Sequence, residues 1–252
     1  MIRTDPRAGV LHVTIARPEK KNALTLEMYD ALTDALARAA EPDVRVVLLA
    51  GEGGVFTAGN DLSDFVANPP SGPDSPVFRF LESISTFEKP ILAAVAGPAV
   101  GIGTTVLLHC DLVYAAPGAR FALPFVNLGL CPEAASSYLL PLAVGMPRAA
   151  EWLLFGEPFS AEEALEAGLI NAIVPEEELL THAAARAEAL AAKPPASVRL
   201  TKRFLRAGHA EAVRQAMHAE AEAFLGRLQS EEAAEAFTAF FEKRKPDFSR
   251  FA

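Results

Sequence analysis

The chain is poor in sulfur and in the larger aromatics, with two cysteines, four methionines, one tryptophan and three tyrosines among 252 residues. Cys110 and Cys131 lack C-x-x-C spacing and sit in apolar stretches, so they read as buried thiols rather than a disulfide, a metal pair or a redox centre. Positive charge is also short. The 23 Lys and Arg face 32 Asp and Glu, a net charge of -9, which leaves no basic field to hold nucleic acid or an anionic membrane surface. No apolar run is long enough for a membrane helix, and the N-terminal "MIRTDPRAGV" has no apolar signal core, so a cytoplasmic protein is expected. Several chemical signatures are missing as well. No G-x-x-x-x-G-K-[ST] phosphate loop and no G-x-S-x-G elbow occurs, and Val106 stands where a dinucleotide loop opened by Gly101 and Gly103 would need glycine. The five histidines never flank a glutamate at i, i+4 spacing, so no metal site is expected, and His109 reads as a satisfied core residue.

What the chain does have is apolar content, 51% of its residues, enough for a large buried core. "GVLHVTIA" (9–16), "VRVVLLAG" (44–51) and "ILAAVAG" (91–97) read as strands, the last two apolar enough to be covered on both faces. Between the first two, Leu26, Met28, Leu32, Ala35 and Leu36 recur at helical spacing behind Thr25, a suitable N-cap. A strand, helix, strand unit of this kind favours an α/β architecture. Residues 66–76, "VANPPSGPDSP", hold four prolines and are expected to form a mobile surface loop. Ser160 and Glu163 have capping-box spacing. From residue 175 onward the pattern becomes a series of helices, and "AKPPAS" (192–197) marks the expected boundary between a core domain, 1–192, and a C-terminal helical region, 193–252.

Three segments stand out at strand ends. In "VFTAGNDLSDF" (55–65), Gly59 and Asn60-Asp61 can bend the chain and aim amides outward, although an ordinary turn would look the same. In "AGPAVGIGTTVLLHCD" (96–111), a buried strand turns into a helix N-terminus, which presents unpaired donors. The third, "PFVNLGLCPEAASSYLLP" (124–141), contains a single charged group, Glu133. A place in the first turn of a helix would explain it. An apolar pocket would instead raise its pKa and make it a proton carrier.

Taken together and in this order, the segments resemble the crotonase (enoyl-CoA hydratase and isomerase) superfamily, from about residue 9 to the C-terminus. "RPEKKNALT" resembles that family's first coenzyme A segment, "FTAGNDL" its first oxyanion turn and "AGPAVGIG" its second. The resemblance implies a ββα spiral core with a C-terminal helical trimerisation region, in homotrimers that can pair into hexamers. It also implies an acyl-CoA substrate, with coenzyme A as part of the thioester and no separate cofactor. Backbone amides of Asn60 and Ile102 would grip the thioester oxygen. Lys21, Ala23, Ala58, Gly59, Asp61, Leu62 and Phe125 would line the substrate site, with Lys20, Lys21, Lys202 and Arg203 as candidates for the coenzyme A phosphates.

The two glutamates of the family's hydratases fall at Thr105 and Phe125 here, neither of which can shuttle a proton. Glu133 instead matches the single catalytic glutamate of the peroxisomal-type Δ3,Δ2-enoyl-CoA isomerases, although "SRFA" is not a peroxisomal address. The expected activity is therefore double-bond migration with Glu133 as acid and base. The alternatives are hydration or another crotonase-type reaction, using Asp61, Asn127, Ser136 or Ser137 as a second polar group, and a non-catalytic acyl-CoA-binding protein.

Overall fold

The computed structural model describes residues 1–72 and 74–251. A hairpin at the edge of the main sheet opens the chain: β1 (Ile2–Arg7) pairs antiparallel with β2 (Val10–Ile15) around the turn at Ala8-Gly9. Helix α1 (Leu26–Ala39) follows, its first turn capped by the Thr25 hydroxyl, which accepts from the Met28 amide. Its buried stripe is Met28, Tyr29, Leu32, Ala35, Leu36 and Ala39, while Leu26 is only partly covered. Strand β3 (Val46–Gly51) then lies parallel to β2.

The short helix α2 (Leu62–Ala67) takes up the start of the predicted 66–76 loop, because Asp61 caps it by accepting from the Ser63 and Asp64 amides. Residues 68–72, 74 and 75 are irregular, Pro73 lies outside the described residues, and α3 (Pro76–Ser85) begins on a proline, a residue suited to a first helical turn. Strand β4 (Ile91–Val95) is wholly buried; it leads into β5 (Pro98–Val100) and the single turn α4 (Ile102–Thr105), which continues as a 3-10 turn to His109.

Strands β6 (Leu112–Ala115) and β7 (Arg120–Ala122) come next, followed by α5 (Ser136–Val144), α6 (Met146–Phe155), β8 (Phe159–Ser160), α7 (Ala161–Glu166) and β9 (Ala172–Ile173). The capping box at Ser160 and Glu163 is formed in both directions, at 3.2 and 2.7 Å. Four helices close the chain: α8 (Glu176–Ala191), α9 (Pro195–Ala207), α10 (Ala210–Leu228) and α11 (Glu231–Glu242).

The main sheet runs β1-β2-β3-β4-β6-β9, parallel except at its first edge, and a small sheet, β5-β7-β8, stands apart from it. One face of the main sheet is covered by α8 through Leu179, Ala183, Ala187 and Ala191, whose fourfold spacing of mostly alanines lets the helix lie close on Val46, Leu48 and Leu92. The larger core fills the other face, against α1, α3 and the small sheet, and is joined by Phe224 of α10 and Ala233 and Phe237 of α11. Trp152 of α6 stacks on Phe159 of the small sheet, with centroids 3.6 Å apart, and Phe159 stacks on Phe121. No described helix is long and apolar enough to cross a membrane.

Candidate active site

The first wall of the site is a stapled turn. Asn22 is wholly buried with φ at 58° and makes four ties to the chain around it: its side-chain oxygen accepts from the Arg17 amide at 2.8 Å, and its amide group donates to the carbonyls of Glu52 and Val55 at 2.9 and 2.6 Å. The fourth tie is its own carbonyl, which accepts from the Thr57 hydroxyl at 2.7 Å; that hydroxyl in turn accepts from the Gly59 amide at 3.1 Å. The Lys21 carbonyl accepts from the Ala58 amide, and Leu24 exchanges bonds with Gly59 and Asp61 on either side of Asn60. Asn60 is thereby held between two fixed neighbours. Its side-chain oxygen accepts from the hydroxyl of Tyr29 on α1.

The second wall is α4 and the strand before it. Gly101 has φ of 56°, which turns the chain from β5 into the helix, and Ile102 is its first residue. The two walls touch: the Val100 amide donates to the Thr57 carbonyl and the Thr57 amide to the Pro98 carbonyl, both at 3.0 Å, a Cβ on Gly59 would lie 2.8 Å from the Val100 carbonyl, and one on Gly103 would lie 2.6 Å from Thr57. Only glycine fits at either place. Among the described residues no hydrogen bond uses the Asn60 amide or, as expected at a helix start, the Ile102 amide.

Glu133 lies inside the protein, 4% exposed. It is not in the first turn of a helix: Ala134 and Ala135 intervene in the left-handed region, and α5 starts only at Ser136. The dipole explanation for this residue therefore fails. Its carboxylate accepts from the Thr105 hydroxyl at 3.3 Å. Burial drives its pKa up to about 7, with a smaller push from the charge of Glu220, against the Thr105 hydrogen bond. Thr105 sits three residues from Ile102 in the same turn, roughly 4.5 Å along the helix axis, so the carboxylate is tied to the element that presents the Ile102 amide.

The remaining predicted residues divide into neighbours of this constellation and residues committed elsewhere. Phe125 is buried in the main core, Leu62 packs against it, and Ala23 and Ala58 are partly covered beside the Asn60 turn. Asp61 is already engaged, because Arg17 pairs with it at 2.7 Å while also donating to the Ala23 carbonyl. Burial would raise the Asp61 carboxyl, but Arg17 and the Asp64 and Ser63 amides hold it below the usual carboxylate range. Lys20 and Lys21 are exposed, as is Arg203. Lys202 is not available for a phosphate: its ammonium is buried between the Lys89 carbonyl at 2.7 Å and Asp111 at 2.8 Å.

Of the other polar groups, Asn127 donates to the Gly156 carbonyl and the Ser137 amide donates to Glu220, while the Ser136 hydroxyl is buried with no partner among the described residues. Cys110 and Cys131 are free and only partly buried, and desolvation pushes the Cys110 thiol up to about 12, where it stays protonated. An open space of about 2320 Å³ lies instead between α9, α10 and the core around His109 and Asp111, and neither Glu133, Asn60 nor Ile102 lines it.

Tyr29, Asn22, Arg17 and Glu220 escaped the sequence reading. Tyr29 carries the one hydroxyl on the buried stripe of α1, which is a usable signal. The others depend on contacts to Asp61, Glu52, Val55 and Ser137, distant in sequence, that no local pattern announces.

A spiral of parallel strands with two facing main-chain turns and a buried acid beside them defines the crotonase class of acyl-thioester proteins. The chain matches the family model "Enoyl-CoA hydratase/isomerase" over residues 5–250, and it belongs to that family of enzymes. It is 37% identical over 244 residues to enoyl-CoA delta isomerase 2 of Rattus norvegicus, a match covering 94% of this chain and 62% of the relative, so the chain spans about three fifths of that protein's length. It is 32% identical over 241 residues to 2,3-dehydroadipyl-CoA hydratase of Escherichia coli K12, covering 95% and 94% of the two chains. The crystal structure of an enoyl-CoA hydratase/isomerase from Pseudoalteromonas atlantica T6c superposes with a TM-score of 0.94 at 47% identity, covering 98% of this chain and 99% of the other.

Proposed function

We propose that the protein is a Δ3,Δ2-enoyl-CoA isomerase in which Glu133 is the only proton carrier. The observation that carries this reading is the position of Glu133, buried, with its pKa near 7 and bonded to Thr105 one turn from Ile102. In the proposed reaction the ionised carboxylate removes a proton from C2 of a 3-enoyl thioester. The C–H electrons move into a dienolate, whose charge gathers on the thioester oxygen between the amides of Asn60 and Ile102. Glu133 then returns the proton at C4, and the double bond lies between C2 and C3. One base serves both steps, and no water is activated. Each amide donor contributes on the order of 2.7 to 4 kcal/mol to the transition state, by analogy with other oxyanion holes. Tyr29 keeps the Asn60 turn in place, and Phe125 helps exclude water.

The exposed Lys20 and Lys21 are assigned to the coenzyme A phosphates, and Ala23, Ala58, Gly59, Asp61 and Leu62 to the substrate wall. A cytoplasmic homotrimer, single or paired, completes the reading. The exposed Phe204 and Leu205 of α9 support such association, and sedimentation of the purified protein tests it.

Hydration is the second reading, favoured by the Ser136 hydroxyl, which is buried with no partner among the described residues and follows Glu133 closely in the chain. The test is purified protein with 3-hexenoyl-CoA and crotonyl-CoA in separate assays. Double-bond migration without water addition is expected, and hydration of crotonyl-CoA at a comparable rate would replace the isomerase reading. Glu133→Gln is expected to bind acyl-CoA and lose nearly all turnover. Undiminished turnover in that variant would remove Glu133 from the mechanism.

A further inference from the structure

Glu133 is followed by two consecutive L-residues in the left-handed region, Ala134 with φ of 60° and Ala135 with φ of 56°. Each is strained relative to ordinary backbone, because the Cβ crowds the following carbonyl, and such strain persists only where the surroundings over-determine it. Two side chains from distant elements do so. His109, wholly buried at the end of the 3-10 turn after α4, meets the Ala134 carbonyl through Nε2 at 2.8 Å. Desolvation lowers its pKa to about 4, so the ring is neutral, and the nitrogen facing a carbonyl carries the hydrogen. Glu220 of α10 accepts from the Ser137 amide at 2.8 Å, so its carboxylate caps α5 from outside the helix. Arg206 of α9 secures the His109 end, donating to the His109 carbonyl at 2.6 Å.

We propose that Glu220 and His109 are positioning residues for Glu133, gripping the Ala134-Ala135 turn at its two ends and so tying the C-terminal helices to the catalytic carboxylate. This rests on the isomerase reading. It adds that α10 belongs to the machinery of the site, which sequence and family likeness alone did not indicate. The grip is also electrostatic. Glu133 faces Thr105, the Glu220 carboxylate and the Tyr29 hydroxyl. Glu220 faces the amides of Ser137, Ala135 and Ser136 together with Cys131, and His109 faces Arg206 and Lys202. Arg227 stands close to Cys131 on the same side.

The experiment compares wild type, Glu220→Ala, Glu220→Gln and His109→Leu in pH-dependent turnover of 3-hexenoyl-CoA, with hydrogen exchange of the peptide spanning residues 133–140. Glu220→Ala and His109→Leu are expected to lose about 10- to 100-fold in kcat, as misplaced catalytic groups do, with KM little changed and faster exchange in that peptide. Glu220→Gln keeps an oxygen acceptor, so it is expected to recover most of kcat. Its acid limb should move to lower pH, because the neighbouring negative charge is gone. Wild-type kcat, pH profile and exchange in Glu220→Ala would overturn the proposal. So would a Glu220→Gln variant with an unmoved acid limb. A wild type that leaves 3-hexenoyl-CoA unchanged would instead sink the isomerase reading, and the exchange data would then decide the grip on their own.

Discussion

Burial gives Glu133 two linked behaviours, one in the proposed reaction and one in stability. As a base it must be ionised, so kcat/KM for 3-hexenoyl-CoA is expected to rise with pH through about 7 and then level off, a profile read directly from initial rates. The same shift destabilises the fold. Between about 4.5 and about 7 the folded protein holds a proton on Glu133 that the unfolded chain has released, so stability falls as pH rises through this window and the loss is complete above it. The shift corresponds to about 3 kcal/mol. Glu133→Gln removes that penalty: urea titrations are expected to show the variant more stable than wild type by a few kcal/mol at pH 8 and nearly equal to it at pH 4. Thr105 favours the charged form through its hydrogen bond. Thr105→Val is therefore expected to move the acid limb of the rate profile upward by a fraction of a pH unit to about one unit.

At the scale of elements, the two walls depend on glycine where they meet. Gly103→Ala places a methyl 2.6 Å from the Thr57 side chain and 3.2 Å from its carbonyl, forcing the Asn60 turn and α4 apart. About 1 to 3 kcal/mol of stability is expected to be lost on denaturant titration, together with a fall in kcat larger than any rise in KM. Ser160→Ala removes one half of a formed capping box and is expected to cost about 1 kcal/mol without affecting turnover. These local features were legible in advance. Thr25, Ser160 and the strand cores at 44–51 and 91–97 follow from spacing and residue type, because caps and short apolar runs are decided within a few residues. The helix expected around Glu133 was misread, since no local rule predicts two consecutive left-handed alanines; they are held by His109 and Glu220, distant in sequence. Lys202 was misread for a related reason, as its burial depends on Lys89 and Asp111 across the fold.

Across the whole molecule, the proposed coenzyme A ester would bring a polyanion to a chain with an excess of negative charge, which narrows where it could enter. With Lys202 engaged by Asp111, the exposed pair Lys20 and Lys21 next to the Asn22 staple becomes the principal candidate. Replacing both by alanine is expected to raise KM several-fold with kcat unchanged, and the difference from wild type should shrink in high salt. One further property comes from the small sheet. Trp152 is the sole indole in the chain, 4% exposed and stacked on Phe159 well away from α4 in sequence. Excitation at the red edge of protein absorbance therefore reads a single built-in optical probe. Its emission follows the loosening of the β5-β7-β8 layer and offers a way to watch that layer melt without attaching a dye.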